Sequence, residues 1–124
     1  MNGYGKELIL DLHYCDSSTY DSREKLEKFF AQLCHLIDMQ REDLHFWDYD
    51  GLPEEYEAAP DHLKGISAVQ FIKTSNVTIH TLDTMRCVYL NIFSCKDFNG
   101  DIAARFCADY FKGTIVTKAI IERE

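Results

Sequence analysis

At 124 residues the chain has the length of one domain, and enough of it to bury a core without disulfide or metal staples. A hydrophobic share of 46%, with eight Phe and seven Tyr, excludes a disordered chain, and a formal net charge of −8 argues against nucleic acid or an anionic membrane as partner, since both demand a basic face. No apolar run has the length of a membrane span, and the opening MNGYGKELIL lacks the basic segment and long apolar run of a secretory leader, so the expectation is a cytoplasmic protein with a small-molecule substrate.

Residues 6–14, KELILDLHY, alternate apolar with polar and predict a strand. DSSTYDSRE follows as a turn, with Asp21 and Glu24 spaced like a capping box. A helix is predicted over 22–38, with Leu26, Phe29, Phe30, Leu33 and Ile37 on its apolar face. Residues 43–49 read as a second strand, in which the aromatic pair Phe46 and Trp47 is expected in the core. The stretch 50–64 holds both prolines and many acids and reads as a loop. Strands are predicted over 66–73, 76–82 and 87–94, the first two nearly joined at Thr74-Ser75 and the last two close enough across TLDTMR to form a hairpin. FNGDIAARFCADYF reads as a helix with Ile102, Ala103, Phe106, Cys107 and Tyr110 turned inward, and 114–121 as a closing strand.

Five cysteines, an odd count with no CxxC, speak against a disulfide framework or a zinc knuckle and for reduced thiols in a reducing compartment. His13 and Cys15 lie two apart, but no further ligands are spaced to complete a site, so no metal is expected. LDLHYCD at 10–16 echoes LNIFSCKD at 90–97, and each is followed by a turn, an amphipathic helix and a strand. The expected fold is therefore α+β: a two-layer sandwich with an antiparallel-rich sheet of about six strands and two helices on one face, residues 1–124 forming a single domain. The bare face of that sheet carries apolar and aromatic side chains. A second copy is its natural cover, giving a homodimer with four layers, α/β/β/α.

Within KTSNVTIH (73–80), strand alternation puts Asn76, Thr78 and His80 on one face and Val77, Ile79 and Leu82 mostly on the other. Tyr89, Asn91 and Phe93 share a face of the next strand, with Cys95 in the same phase. Pairing the two strands directs Ser75, His80 and Cys95 towards one region, where they would offer a nucleophile, a base and an acid. The alternative reading of the same residues is a buried polar pair in a sheet.

TSNVTIH, with Cys95 fifteen residues beyond its His, resembles the processing motif Glu-Ser-His-x-Thr-Ile-His of the bacterial and archaeal S-adenosylmethionine decarboxylases and their catalytic Cys. GKELILDLHYCD is similar to that family's opening strand, and GISAV (65–69) to its Gly-Val-Ser-Gly-Val. The resemblance implies a self-cleaving proenzyme. The Ser75 hydroxyl attacks the carbonyl of Thr74, elimination of the ester leaves dehydroalanine, and hydrolysis yields a pyruvoyl cofactor at the head of fragment 75–124 (the α fragment), with 1–74 as the β fragment. His80 assists the elimination, and Thr78 or Asn76 holds the oxyanion. The ketone forms a Schiff base with the substrate amine and acts as an electron sink, and Cys95 returns a proton.

The chain also departs from the pattern. Thr74 stands for a Glu, Asn76 for a His, Asp11 for a Glu, Asn91 for an Asp and Lys96 for a Gly. Thr84 stands where the family has the Glu expected to grip the substrate ribose, and Asp83 lies one place early. Asp11, Asp83 and Asn76 are thus the candidate substrate-binding residues. Three functions fit these residues: an S-adenosylmethionine decarboxylase supplying the aminopropyl donor for spermidine biosynthesis, a pyruvoyl decarboxylase of the same fold acting on arginine or ornithine, or an unprocessed binding or regulatory homologue.

Overall fold

The computed structural model describes residues 3–124. Strand β1 (Gly5–His13) leads through a 3-10 turn into helix α1 (Arg23–Leu36) and strand β2 (Arg41–Trp47). A short helix α2 (Pro53–Ala58) and a second 3-10 turn precede the hairpin of β3 (Ser67–Ile72) and β4 (Ser75–Leu82). Strand β5 (Cys87–Ser94), helix α3 (Gly100–Phe111) and strand β6 (Thr114–Arg123) complete the chain. The six strands form one antiparallel sheet in the order β2-β3-β4-β5-β1-β6. The two echoing segments become β1 and β5, neighbours in the sheet, each continued by its own helix and strand.

Alternation sorts the strands cleanly. Leu8, Leu10 and Leu12 of β1, Ala68, Gln70 and Ile72 of β3, Val77 and Ile79 of β4, and Val88, Leu90 and Ile92 of β5 are buried beneath the helices. Onto them α1 sets Leu26, Phe29, Phe30, Leu33 and Cys34. Phe29 lies against Phe30, Phe106, Tyr110 and Phe111, a cluster that ties the two long helices together; burying each such ring contributes about 1.5–3 kcal/mol. Gln70 is buried in this layer with its amide satisfied, since Nε2 donates to the carbonyls of Glu42, Asp43 and Phe71 and Oε1 accepts from Arg41.

Five local expectations change. Ser22, not Asp21, caps α1 by accepting from the Lys25 amide, while Asp21 pairs with the Lys25 ammonium at 2.8 Å. The stretch 50–64 is not a plain loop: Pro53 opens α2 in the first turn, where its missing N–H costs nothing, instead of breaking it. The inward face of α3 is Ala103, Ala104, Cys107, Ala108 and Phe111, which leaves Ile102 half exposed outside it. Phe46 packs against the core, but Trp47, one residue on, points to the other side of the sheet and is 66% exposed. Leu82 shares the open side with Asn76, Thr78 and His80, as strict alternation along β4 requires.

The helices cover one side of the sheet. On the other stand His45 and Trp47, Ser67 and Phe71, Thr78 and His80, Tyr89 and Phe93, with Glu7 and Ile9 beyond them. Tyr4, Trp47, Phe71 and Ile121 are each more than two-fifths exposed on or beside this open side. No helix of the described residues is long and apolar enough to cross a membrane.

Candidate active site

The β3–β4 hairpin closes through Lys73 and Thr74, so Ile72 pairs with Ser75. Thr74 adopts φ +56°, a left-handed backbone that a β-branched residue takes at a cost of order 1–3 kcal/mol. The strain therefore sits on the residue whose carbonyl joins Ser75. The Ser75 side chain is in phase with Val77 and Ile79, and it is buried on the covered side.

Cys95 follows β5 directly and meets this turn. Its amide donates to Ser75 Oγ at 3.1 Å, and Ser75 Oγ lies 3.7 Å from the thiol. Thr74 Oγ1 lies 3.0 Å from Cys95 Sγ and 2.7 Å from the Lys73 carbonyl oxygen, with one hydrogen to give to either. Hydrogen bonds from Thr74 and then Ser75 hold the Cys95 thiol below its usual range. The other four cysteines are buried, and burial pushes Cys15 and Cys34 up to about 11. A thiol and a hydroxyl thus face each other beside the peptide bond that follows the strained Thr74. Gly5 of β1 is required here, because a Cβ on it would lie 2.0 Å from the Ser94 carbonyl oxygen and 2.8 Å from the Cys95 Cα. A cleft of about 530 Å³ opens at this turn, lined by Asp38, Met39, Glu42, Lys73, Lys96 and the Ser75–Cys95 pair.

His80 is elsewhere. Five residues of extended strand separate it from Ser75, about 17 Å, and its side chain stands on the opposite side of the sheet. Its Nδ1 is 2.8 Å from Ser67 Oγ, directly across the hairpin, in a hollow shared with Trp47, His62 and Tyr89. Ser67 received no role from sequence. The signal was present, because a hairpin folded at 73–74 that pairs 72 with 75 must also pair 67 with 80.

The candidate substrate-binding residues scatter. Asn76 and Asp11 lie on the open side, Asn76 opposite Phe93 and Asp11 opposite Tyr89. Asp83 ends β4 at the far end from Ser75. Its Oδ2 accepts from the Tyr56 hydroxyl at 2.6 Å and its Oδ1 is sealed from solvent without a partner among the described residues. Burial raises its carboxyl above the usual range, against the pull of Tyr56. Asn91 donates to Glu7, which also holds Arg123.

A hydroxyl at a strained hairpin turn and a thiol against it stand at one end of an α+β sandwich built from two strand–helix–strand halves around one sheet. The S-adenosylmethionine decarboxylase family model matches residues 6–124, and the chain belongs to that family, which consists of carboxy-lyases. It is 23% identical over 124 residues to the S-adenosylmethionine decarboxylase proenzyme of Thermoanaerobacter sp. (strain X514), covering 99% of this chain and 90% of that one. The proenzyme of Caldanaerobacter subterraneus subsp. tengcongensis is 22% identical over 129 residues, covering 99% and 94%. In three dimensions the fold matches the crystal structure of the adenosylmethionine decarboxylase from Aquifex aeolicus VF5, with a TM-score of 0.77 at 16% identity over 99% of this chain and 92% of that one.

Proposed function

We propose that the chain is a proenzyme that cleaves itself between Thr74 and Ser75 and then decarboxylates S-adenosylmethionine, the product serving as aminopropyl donor for spermidine. The observation that carries this reading is the Thr74–Ser75–Cys95 contact at a left-handed turn. Ser75 Oγ adds to the Thr74 carbonyl carbon, the C–N bond breaks, and the chain is joined through an ester. Removal of the Ser75 Cα proton expels the Thr74 carboxylate, which keeps the serine oxygen. Water then replaces nitrogen on the residue left behind, ammonia departs, and fragments 1–74 and 75–124 remain. Relief of the strain at Thr74 favours the first step. The pyruvoyl carbonyl so formed supplies an electron sink for loss of carbon dioxide from an amine-bearing acid. Cys95, beside that position, holds the proton that returns to the carbon.

His80 fits this chemistry from a second subunit. The open side of the sheet, with Trp47 66% and Phe71 45% exposed, suits packing against its copy, and such a homodimer carries His80, oriented by Ser67, across to the partner's side. The mostly buried, unbridged thiols and the absence of a membrane-spanning helix among the described residues fit a cytoplasmic enzyme.

A second reading is favoured by Asp83. Thr84 has no carboxylate, and one oxygen of Asp83 is committed to Tyr56 while the other is sealed, so the grip expected for a ribose diol is weakened and a free amino acid such as arginine or ornithine becomes the rival substrate. Intact mass under denaturing conditions tests cleavage: two fragments from the wild type and a single 14.4 kDa chain from Ser75→Ala are expected. A single species from wild type overturns cleavage and leaves a binding or regulatory role. Carbon dioxide release from S-adenosylmethionine, arginine, ornithine and lysine in parallel separates the substrates.

A further inference from the structure

Thr74 is the position at which this chain most visibly carries its own chemistry, and its side chain is not idle. Its hydroxyl sits between two groups, 2.7 Å from the Lys73 carbonyl and 3.0 Å from Cys95 Sγ. With the hydrogen on the Lys73 carbonyl, Oγ1 presents a lone pair to the sulfur and accepts the S–H. With the hydrogen turned to the sulfur, it supports a thiolate. Ser75 Oγ, 3.7 Å from the same sulfur, is the second hydroxyl that donates to it.

We propose that Thr74 is a positioning residue for Cys95, and that cleavage after Thr74 replaces the Ser75 hydroxyl facing the sulfur by a carboxylate on Thr74, which keeps the proton on the thiol. The inference rests on the self-cleavage reading above. The bookkeeping is closed: the oxygen that was Ser75 Oγ leaves with the Thr74 carbonyl carbon, so a neutral donor becomes one oxygen of an anion at the same place. A thiolate beside a carboxylate is disfavoured, and the hydroxyl of Thr74 turns to the Lys73 carbonyl and accepts from S–H. Before cleavage the two hydroxyls hold the thiol below its usual range; afterwards the balance reverses. Cleavage then not only creates the cofactor but also puts the acid partner in its protonated form. Of the other groups at this point only Lys73 is placed to offset part of the new charge. Lys96 is drawn away to Asp38, whose carbonyl and carboxylate it contacts at 2.6 and 2.8 Å, and Glu42 adds negative charge to the cleft. Lys73, which also lines the cleft, is the one cation there without an assigned acid.

The test is the rate of Cys95 alkylation by iodoacetamide against pH, read on the Cys95 peptide by mass spectrometry, since the thiolate is the attacking form. The processed chain is compared with the chain held intact by Ser75→Ala. The midpoint is expected to lie higher after cleavage, so that at pH 8 the processed thiol reacts about tenfold more slowly, a shift of about one unit. An equal or lower midpoint after cleavage overturns the switch. In the Ser75→Ala background, Thr74→Val removes the hydroxyl but keeps the branched shape. It should raise the midpoint and slow alkylation about threefold near neutrality, with Thr74→Ser restoring it. An unchanged midpoint in Thr74→Val overturns the positioning role. This second arm needs no cleavage, so a wild-type chain that never cleaves defeats the proposed function while the hold of Thr74 on the thiol is still read.

Discussion

At its Ser75 end, β4 turns a hydroxyl into the covered side of the sheet, where Cys95 and Thr74 meet it within one subunit. At its His80 end, the same strand presents an imidazole to the open side, held by Ser67 and bordered by exposed Trp47 and by Tyr89. The first end is complete as it stands: a nucleophile, a carbonyl at a strained residue and a thiol. The second end has an oriented base and nothing beneath it to act on. On the proposed function one strand carries two halves of a reaction on opposite faces, and the distance between them, about 17 Å, is the length of five extended residues. A base cannot reach through its own sheet, so the asymmetry points to assembly.

The largest expected effect falls on the self-contained end. Cys95→Ala should leave cleavage intact, because Ser75 keeps its strained partner, yet lower decarboxylation by roughly 10²–10⁴-fold, the usual share of a positioned acid. The remaining flux should shift to transamination of the cofactor. A processed Cys95→Ala enzyme with normal rate and product removes Cys95 from the reaction. The next effect concerns the other end. His80→Ala alone should slow cleavage by about 10²-fold. Co-expressed with Ser75→Ala, it should regain cleavage in mixed dimers, since one chain contributes Ser75 and the other His80. Mixed dimers that stay uncleaved would place His80 outside the processing step.

How much of this was legible before the fold was known follows from the same strand. Alternation along 73–80 assigned Asn76, Thr78 and His80 to one face, and the short β4–β5 connection implied that the strands pair, which directed Ser75, His80 and Cys95 towards one region; of the three, the structure joins only Ser75 and Cys95. The separation of His80 from that pair was implicit in the alternation, because positions 75 and 80 have opposite parity. Convergence of residue types obscured it. The Thr74 backbone was not legible, since a β-branched residue predicts extended φ, and the left-handed value is imposed by closing a two-residue turn between paired strands. Nor was α2, whose proline and acids look like a loop until Pro53 is seen at a helix start. Ile102 and Trp47 were misplaced for a common reason. In both an apolar side chain was counted as core from its type: Ile102 sits at the margin of a helical apolar stripe, where periodicity cannot tell the last buried position from the first exposed one, and Trp47 stands one residue after Phe46 on a strand, where alternation turns it to the other side.

A smaller effect probes the open side as a whole. Phe71 is 45% exposed, edge-on to His45, and faces solvent in a single subunit. Phe71→Glu should leave the fold of the subunit unchanged and weaken the proposed dimer by about ten- to a hundredfold in Kd, or about 1.4–2.8 kcal/mol. Sedimentation across a concentration series reads it directly. A wild type that is monomeric at micromolar concentration while fully active would show that the His80 end needs no partner.

The smallest effect concerns Asp83, where β4 leaves the sheet at the His80 end. Desolvation raises its carboxyl, with Asp21 adding to the rise, while the hydrogen bond from Tyr56 and the charge of Lys64 pull it down. Because the folded value lies above the unfolded one, the native state binds this proton more tightly than the unfolded chain does. Asp83 therefore contributes stability while protonated, in full below its unfolded value near pH 4, and loses that contribution as pH rises through the folded value. Asp83→Asn keeps the shape without the charge. It should change stability by no more than about 1 kcal/mol, in the stabilising direction at pH 7 and with the gain vanishing towards pH 4. Thermal unfolding at the two pH values checks it. A variant that is less stable than wild type at pH 7, with the loss shrinking towards pH 4, would mean that Asp83 is ionised in the folded chain and needed in that form as the acceptor for Tyr56.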